Sequence, residues 1–120
     1  MEKHRHLSKA LHNEEFFKSF DLDKTKYRDW VIVGIFYTAI HYYEAYFSDS
    51  NKHSRTHDIA DDWIAEDPKI SDTYGDYREL KESRWYASYW SKIFTAQEIR
   101  DIILPKLYNI KKSILSLLNK

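Results

Sequence analysis

Apolar residues along the chain recur three and four positions apart, which is the repeat of an amphipathic helix rather than of a strand. No segment alternates apolar and polar residues, and no Asn-Gly or Asp-Gly pair indicates a hairpin turn. The sequence therefore predicts an all-α fold, an antiparallel up-and-down bundle of four or five helices. The pattern places the helices over about 8–21, 25–48, 56–66, 71–90 and 95–118.

The second predicted helix is apolar on nearly all sides, which is typical of a helix packed on nearly all sides. Its longest apolar run, from Trp30 to Tyr43, is closed by charged residues at both ends and is shorter than the roughly 20 residues that a membrane span needs. We therefore expect a buried central helix. Gly34 lies inside it, where the lack of a side chain lets a neighbouring helix approach closely.

Several residues mark where the helices should begin and end. Thr25 and Ser71 are predicted N-caps of the second and fourth helices, and Pro68 is expected to end the third. The segment Thr95-Ala-Gln-Glu98 has the spacing of a capping box, in which each side chain bonds the other residue's backbone N–H. Pro105 lies inside the last periodic segment and should kink that helix without ending it.

Composition indicates one folded domain over residues 1–120. Apolar residues make up 42% of the chain and it contains no cysteine, which excludes a disulfide framework, a thiolate metal site and a cysteine nucleophile. The first residues lack the apolar stretch of a signal peptide, so a soluble, cytoplasmic protein without a membrane segment is expected. Nineteen basic residues balance nineteen acidic ones, so any nucleic-acid contact must be local, and little self-repulsion opposes a homodimer.

His41 is the polar residue that fits least with its apolar surroundings in the second helix. Tyr37 precedes it by one turn and Glu44 follows by three residues, so all three lie near one face. One interpretation is a hydrogen-bonded core histidine that holds two helices together. The other is a general base or ligand contact, because histidine titrates near neutral pH and Tyr37 can orient it.

Arg84 lies on the predicted inner face of the fourth helix, where a guanidinium needs a partner or a ligand. Glu44 from the second helix is one candidate partner. The alternative is a phosphate or RNA contact, which suits the forked geometry of arginine. Tyr86 nearby could then stack on a base, although aromatic residues at this spacing also suit a core or a dimer interface.

His53 and His57 are four residues apart, the spacing of a histidine pair on one helix face. His53 is expected to lie in the loop before the third helix, and two histidines alone do not complete a coordination sphere. The sequence therefore predicts no metal and no cofactor, and it leaves both histidines as candidate ligand contacts.

Three segments together resemble the HEPN family, the "higher eukaryotes and prokaryotes nucleotide-binding" domains. The first runs from Asp29-Trp30 through Phe36-Tyr37-Thr-Ala-Ile-His41 to Glu44-Ala45 and is similar to the family's long helix. The second is the histidine-rich connection His53-Ser-Arg-Thr-His57, and the third is Tyr77-Arg-Glu-Leu80-Lys-Glu-Ser83-Arg84, which looks like the signature of the fourth helix. The resemblance covers about residues 27–115.

The resemblance implies a dimeric helical bundle that either cleaves RNA without a metal or only binds nucleotides or RNA. Many HEPN nucleases are toxins that are paired with a nucleotidyltransferase-like antitoxin, and they carry a histidine four to six residues after the arginine. No histidine follows Arg84 at that spacing here. We therefore expect a non-catalytic module that binds nucleotide, RNA or a partner protein at Tyr37, His41 and Arg84. A metal-independent endoribonuclease that uses His41 and Arg84, and a purely structural homodimer, are the alternatives.

Overall fold

The computed structural model describes residues 2–54, 56–90 and 92–119, and every regular element among them is helical. The last helix is continuous but changes pitch: it begins as a short α-helical turn, passes through a π turn over Ile99–Ile103 and continues as a longer α-helix. The all-α prediction is confirmed for these residues. The α-helices are α1 (Glu2–Lys18), α2 (Arg28–Asp49), α3 (His57–Glu66), α4 (Tyr74–Tyr89), α5 (Ala96–Glu98) and α6 (Leu104–Leu118).

Helix α2 is the centre of the bundle, as its apolar pattern predicts, and α1, α4 and α6 pack around it. Side-chain pairs fix the directions. In α1 and α2, Lys3 bonds Asp49 while Phe16 lies beside Gly34, so the two helices are antiparallel. Helices α2 and α4 are also antiparallel, because Tyr77 packs on Tyr43 and Arg84 packs on Phe36 and Tyr37. The molecule measures 41 × 24 × 23 Å.

Gly34 is a point of close approach between α1 and α2. A Cβ atom built there would lie 3.3 Å from Phe17 Cβ and 3.3 Å from Phe16 Cδ2. The prediction that this glycine admits a neighbouring helix is confirmed, and the neighbour is α1.

Two helix boundaries differ from their predictions. Helix α1 begins at Glu2, six residues before the predicted start at Ser8, because its polar first turns still pack on α2 and Glu2 suits the positive end of the helix dipole. Thr25 does not cap α2. Its hydroxyl accepts a hydrogen bond from Tyr27 N–H in the preceding turn, and α2 begins at Arg28 without a side-chain cap.

The fourth helix also begins later than predicted. Ser71 opens a 3-10 turn, Ser71–Thr73, and α4 follows from Tyr74. The turn buries Thr73, whose hydroxyl lies 2.6 Å from Tyr43 Oη and donates to the Ile70 carbonyl at 2.7 Å. Neither the turn nor α4 has a side-chain cap, and the contact with α2 that holds the turn is invisible in the local sequence.

The last helix confirms the predicted capping box and the predicted continuation through Pro105. Thr95 and Glu98 form the capping box. The chain passes Pro105 without ending the helix, and the local disturbance is the π turn just before it, where Leu104 N–H donates to the Ile99 carbonyl five residues back. The wider turn accommodates a residue that cannot donate in the helical ladder.

Glu14 forms a buried polar network that the sequence patterns did not reveal. Its carboxylate accepts hydrogen bonds from Tyr42 Oη at 2.7 Å and from Lys111 Nζ at 3.1 Å, and Lys18 Nζ lies 3.4 Å away. The Glu14 residue is 4% exposed and Tyr42 is 1% exposed. The network therefore joins α1, α2 and α6 through one carboxylate.

Helix α2 ends in a Schellman motif. Asn51 has a φ of 58°, in the left-handed region that asparagine tolerates. Asn51 N–H donates to the Ser48 carbonyl at 2.9 Å, and Lys52 N–H donates to the Phe47 carbonyl at 2.9 Å. This pair of bonds fixes the direction in which the chain leaves α2 toward His53.

A search of the helices in the described ranges found none with the length and apolar character required to cross a membrane.

Candidate functional site

Arg84 and Tyr37 meet at the contact between α2 and α4, as the sequence predicted. Arg84 Nη2 donates to Tyr37 Oη at 2.9 Å. The guanidinium carbon lies 5.5 Å from the centre of the Tyr37 ring and 5.7 Å from that of Phe36, within the range of a cation–π contact. These two rings fix the position of a half-buried cation.

In the described part of the chain, no carboxylate lies within ion-pair distance of the Arg84 guanidinium. Among the described residues Arg84 takes part in no ion pair, and its Nε atom is buried without a hydrogen-bond partner. A buried donor left without a partner costs about 1–3 kcal/mol. The positive charge is thus not balanced by a described carboxylate, which suits the guanidinium to attract an anion.

A groove of about 380 Å³ opens beside Arg84 and Tyr37. We call it the Arg84 groove. At its far end lies Trp30, whose side chain is 55% exposed. The lining residues come from both helices: Asp29, Trp30, Val33 and Tyr37 of α2, and Arg84, Ala87 and Ser88 of α4.

Glu44 does not pair with Arg84, contrary to one interpretation of the sequence. Its carboxylate accepts a hydrogen bond from Ser54 Oγ in the loop after α2. Because α2 and α4 are antiparallel, residues near position 44 lie opposite Tyr77, about two helical turns from Arg84. Burial raises the pKa of Glu44 to about 7, and the Ser54 hydrogen bond only partly opposes this effect.

We expect the free energy of unfolding of Glu44→Gln, relative to that of wild type, to be higher at pH 8 than at pH 5. Between its ordinary pKa of 4.5 and about 7, the folded state holds a proton on Glu44 that the unfolded state has released, so wild-type stability from this group falls as pH rises. The glutamine cannot titrate. Urea unfolding measures the free energy of unfolding of both proteins. Between pH 5 and pH 8, the value for the variant should rise by roughly 2 kcal/mol relative to that of wild type.

Glu15→Gln is the matched control for that measurement, because Glu15 is exposed on α1. The free energy of unfolding of Glu15→Gln should differ from that of wild type by the same amount at both pH values. An unchanged difference for Glu44→Gln would show that the Glu44 carboxylate ionises normally in the fold.

His41 faces α1 rather than the Arg84 groove. Its Nδ1 atom lies 3.1 Å from His6 Nδ1, and the two rings stack with centroids 5.4 Å apart. Burial lowers the pKa of His41 to about 4, with further lowering from the positive charges of His6 and Lys9. His41 is therefore a neutral histidine that bonds two helices, one of the two interpretations of the sequence, and it is a weak base.

Tyr86 lies outside the Arg84 groove. Two residues after Arg84, it points to roughly the opposite side of α4. It packs there against Trp85, with ring centroids 5.5 Å apart, in an exposed aromatic cluster around the end of the helix. The other members, Tyr89 and Trp90, are 66% and 64% exposed.

His53 and His57 do not share a helix face, because α3 begins at His57 and His53 lies in the preceding loop. The side chain of His57 lies outside the described part of the structure. His53 is exposed, and one of its ring nitrogens lies within 4.8 Å of a Glu2 carboxylate oxygen and of a His6 ring nitrogen. Sequence spacing could not reveal this grouping. Glu2 and His6 lie at the start of α1 and His53 follows the end of α2, and only the antiparallel packing of the two helices brings these ends together.

The fold and the groove together define an all-α bundle with a cleft between its second and fourth helices, lined by one arginine, one carboxylate and two aromatic side chains. No family model matches the chain, and comparisons with curated proteins and with solved structures also found no match.

Proposed function

We propose that this chain is a HEPN-like helical module that binds single-stranded RNA or a nucleotide in the Arg84 groove without cleaving it. The observation that supports this most directly is the guanidinium of Arg84, which forms no ion pair among the described residues and which Tyr37 holds in place at the groove. A planar guanidinium with free donors suits a phosphate, which it can bind through two parallel hydrogen bonds.

The rest of the groove suits the base and sugar of the same nucleotide. Trp30 offers an exposed indole, and stacking of a base on an aromatic side chain is worth about 1–3 kcal/mol. Asp29 is the groove's carboxylate, and it lies eight residues from Tyr37, about 12 Å along α2. At that distance it is clear of the phosphate and can accept a hydrogen bond from a ribose hydroxyl or a base amino group.

A second depression continues the groove beyond Asp29 and Ala87. Lys26, Arg28 and Lys92 line it. These cations give an RNA strand further phosphate contacts along the same side of the bundle, although the chain has no net charge. RNA is thus favoured over an isolated mononucleotide.

Catalysis is not part of the proposal, because a nuclease needs a base beside the arginine. His41 is the candidate base, and it bonds His6 on α1. Its pKa of about 4 also leaves it far from the value near working pH that suits proton transfer. Arg84 alone can hold a phosphate but cannot activate a ribose hydroxyl.

Binding of a fluorescein-labelled single-stranded RNA, followed by fluorescence anisotropy, tests the proposal. We expect Arg84→Ala to weaken binding roughly 10- to 100-fold, because a hydrogen bond to a charged group contributes about 1.5–3 kcal/mol. The affinity of Arg84→Lys should lie between those of wild type and Arg84→Ala, because lysine keeps the positive charge but lacks the forked donor geometry of the guanidinium. AMP should compete better than inorganic phosphate, because only AMP carries a base for Trp30.

Arg78→Ala is the matched control, because Arg78 is an exposed arginine on the same helix that contacts Tyr74 and Glu82. It should bind as wild type does. Equal affinity of the Arg84→Ala and wild-type proteins, with both folded by circular dichroism, would overturn the proposal. Appearance of RNA fragments that depend on His41 and Arg84 would instead support the endoribonuclease hypothesis.

A further inference from the structure

We propose that Glu2, His6 and His53 form a Zn²⁺-binding site at the end of the bundle where α1 begins and α2 ends. One ligand atom from each of these residues lies within 4.8 Å of the other two. The site is independent of the Arg84 groove, which lies along the first half of α2. Two imidazoles and one carboxylate are a ligand set that zinc accepts, with a fourth position left for water.

The first two ligands are positioned by α1 itself. Glu2 and His6 are four residues apart, so they lie on the same face of the helix, and Glu2 Oε2 is 3.8 Å from His6 Nε2. Ligand atoms about 2 Å from a tetrahedral ion lie roughly 3.3 Å from each other. The pair needs to close by only a fraction of an ångström.

The third ligand comes from the turn after α2. The Schellman motif at Asn51 fixes the backbone just before His53, whose exposed ring can move toward an ion by side-chain rotation. Beside it is a depression of about 430 Å³ that is lined by Glu2, His53 and Ser48. Ser48 Oγ is buried, and none of the described residues gives it a hydrogen bond. The depression leaves room for water at the open position of the ion.

His41 supplies the outer contact that metal-binding histidines usually have. A hydrogen bond between His6 Nδ1 and His41 Nδ1 needs one donor and one acceptor. When His6 Nδ1–H donates to His41, the lone pair on His6 Nε2 faces Glu2 and His53. His41 is then a positioning residue that selects the metal-binding tautomer of His6.

The surrounding charges limit the affinity without excluding the ion. Lys9 and Arg5 add positive charge near His6, and Glu2 opposes it. Asp49 is held by Lys3 at 3.2 Å, so it is engaged in an ion pair of its own. Glu2 is thus the carboxylate that offsets part of the zinc charge.

Titration with Zn²⁺, by calorimetry and by Co²⁺ substitution with visible absorption, tests the site. We expect one ion per chain, and a loss of affinity of tenfold or more in His6→Gln and in His53→Gln. His41→Phe leaves the three ligands in place but should weaken binding roughly 10- to 100-fold, which is typical for loss of an outer contact. The Co²⁺ spectrum of His41→Phe should also shift, which a purely structural role of His41 would not cause.

His12→Gln is the matched control, because His12 is an exposed histidine on the same helix and outside the cluster. It should bind zinc as wild type does. Equal affinity in His6→Gln, His53→Gln and His12→Gln, or absence of any saturable binding to wild type, would overturn the proposal. RNA binding by the Arg84 groove should be the same with and without zinc, so the two proposals succeed or fail separately.

Discussion

Replacing Gly34 with leucine is expected to destabilise the protein by about 3 kcal/mol, because the new side chain has no room where α1 crosses α2. Even a Cβ atom would lie 3.3 Å from Phe17 Cβ, which is attached directly to the backbone and cannot rotate away. The gain in helix propensity over glycine, about 1 kcal/mol, does not offset this crowding. The two helices would have to move apart.

Thermal unfolding followed by circular dichroism measures the effect, and for a chain of this length about 3 kcal/mol corresponds to a fall in Tm of roughly 12 °C. Gly75→Leu is the matched control, because a Cβ atom at Gly75 meets nothing within 4 Å. It should change stability by less than about 1 kcal/mol. Equal Tm values for the two variants would show that α1 is not packed tightly on α2 at Gly34.

The second large effect is expected for Glu14→Ala, which should cost about 3 kcal/mol at pH 7. The substitution leaves the hydroxyl of Tyr42, 1% exposed, without its acceptor, and it leaves a cavity between three helices. The side chain of Lys111 is 27% exposed and can turn to water, which limits the loss. Urea unfolding gives the free energy, with Glu15→Ala as the exposed neighbour that should change little.

The effect of Glu14→Ala should depend on pH in a defined direction. Burial opposes ionisation of Glu14, but the hydrogen bonds from Tyr42 and Lys111 outweigh it and lower the pKa below the ordinary value of 4.5. A carboxyl group with a lowered pKa in the folded state contributes its full stability above pH 4.5 and loses it as pH falls through the folded pKa. The gap between wild type and variant should therefore narrow below pH 4.5. A constant gap from pH 7 to pH 3 would contradict this account of the network.

Local signals in the sequence predicted the parts of the fold that depend on local chemistry. The capping box at Thr95 and Glu98 is satisfied within four residues, and the apolar character of α2 indicates its central position without any knowledge of its neighbours. The predicted start of α1 and the cap at Ser71 failed because tertiary packing decides both. The first turns of α1 are polar in sequence, yet they pack on α2.

The candidate sites also contain residues that sequence patterns could place and residues that only tertiary packing brings together. Arg84 and Tyr37 could be paired from the sequence because each lies on the inner face of a helix that the apolar repeat defines. His41 was expected beside Arg84, but a residue on a central helix can face any of several neighbouring helices, and periodicity does not say which. The cluster of Glu2, His6 and His53 joins chain positions that only the antiparallel pairing of α1 and α2 brings together.

The Glu14 network also constrains the order in which the helices assemble. Tyr42 is 28 residues from Glu14, whereas Lys111 is 97 residues away. Loop-closure entropy favours the nearer contact first, so the α1–α2 hairpin pairs early, with an acid at its centre that lacks the cation from α6. Docking of the final helix adds Lys111 to the ion pair that Lys18 of α1 forms with Glu14. The hairpin thus forms only part of the network, and one carboxylate couples the first and last helices of the described chain.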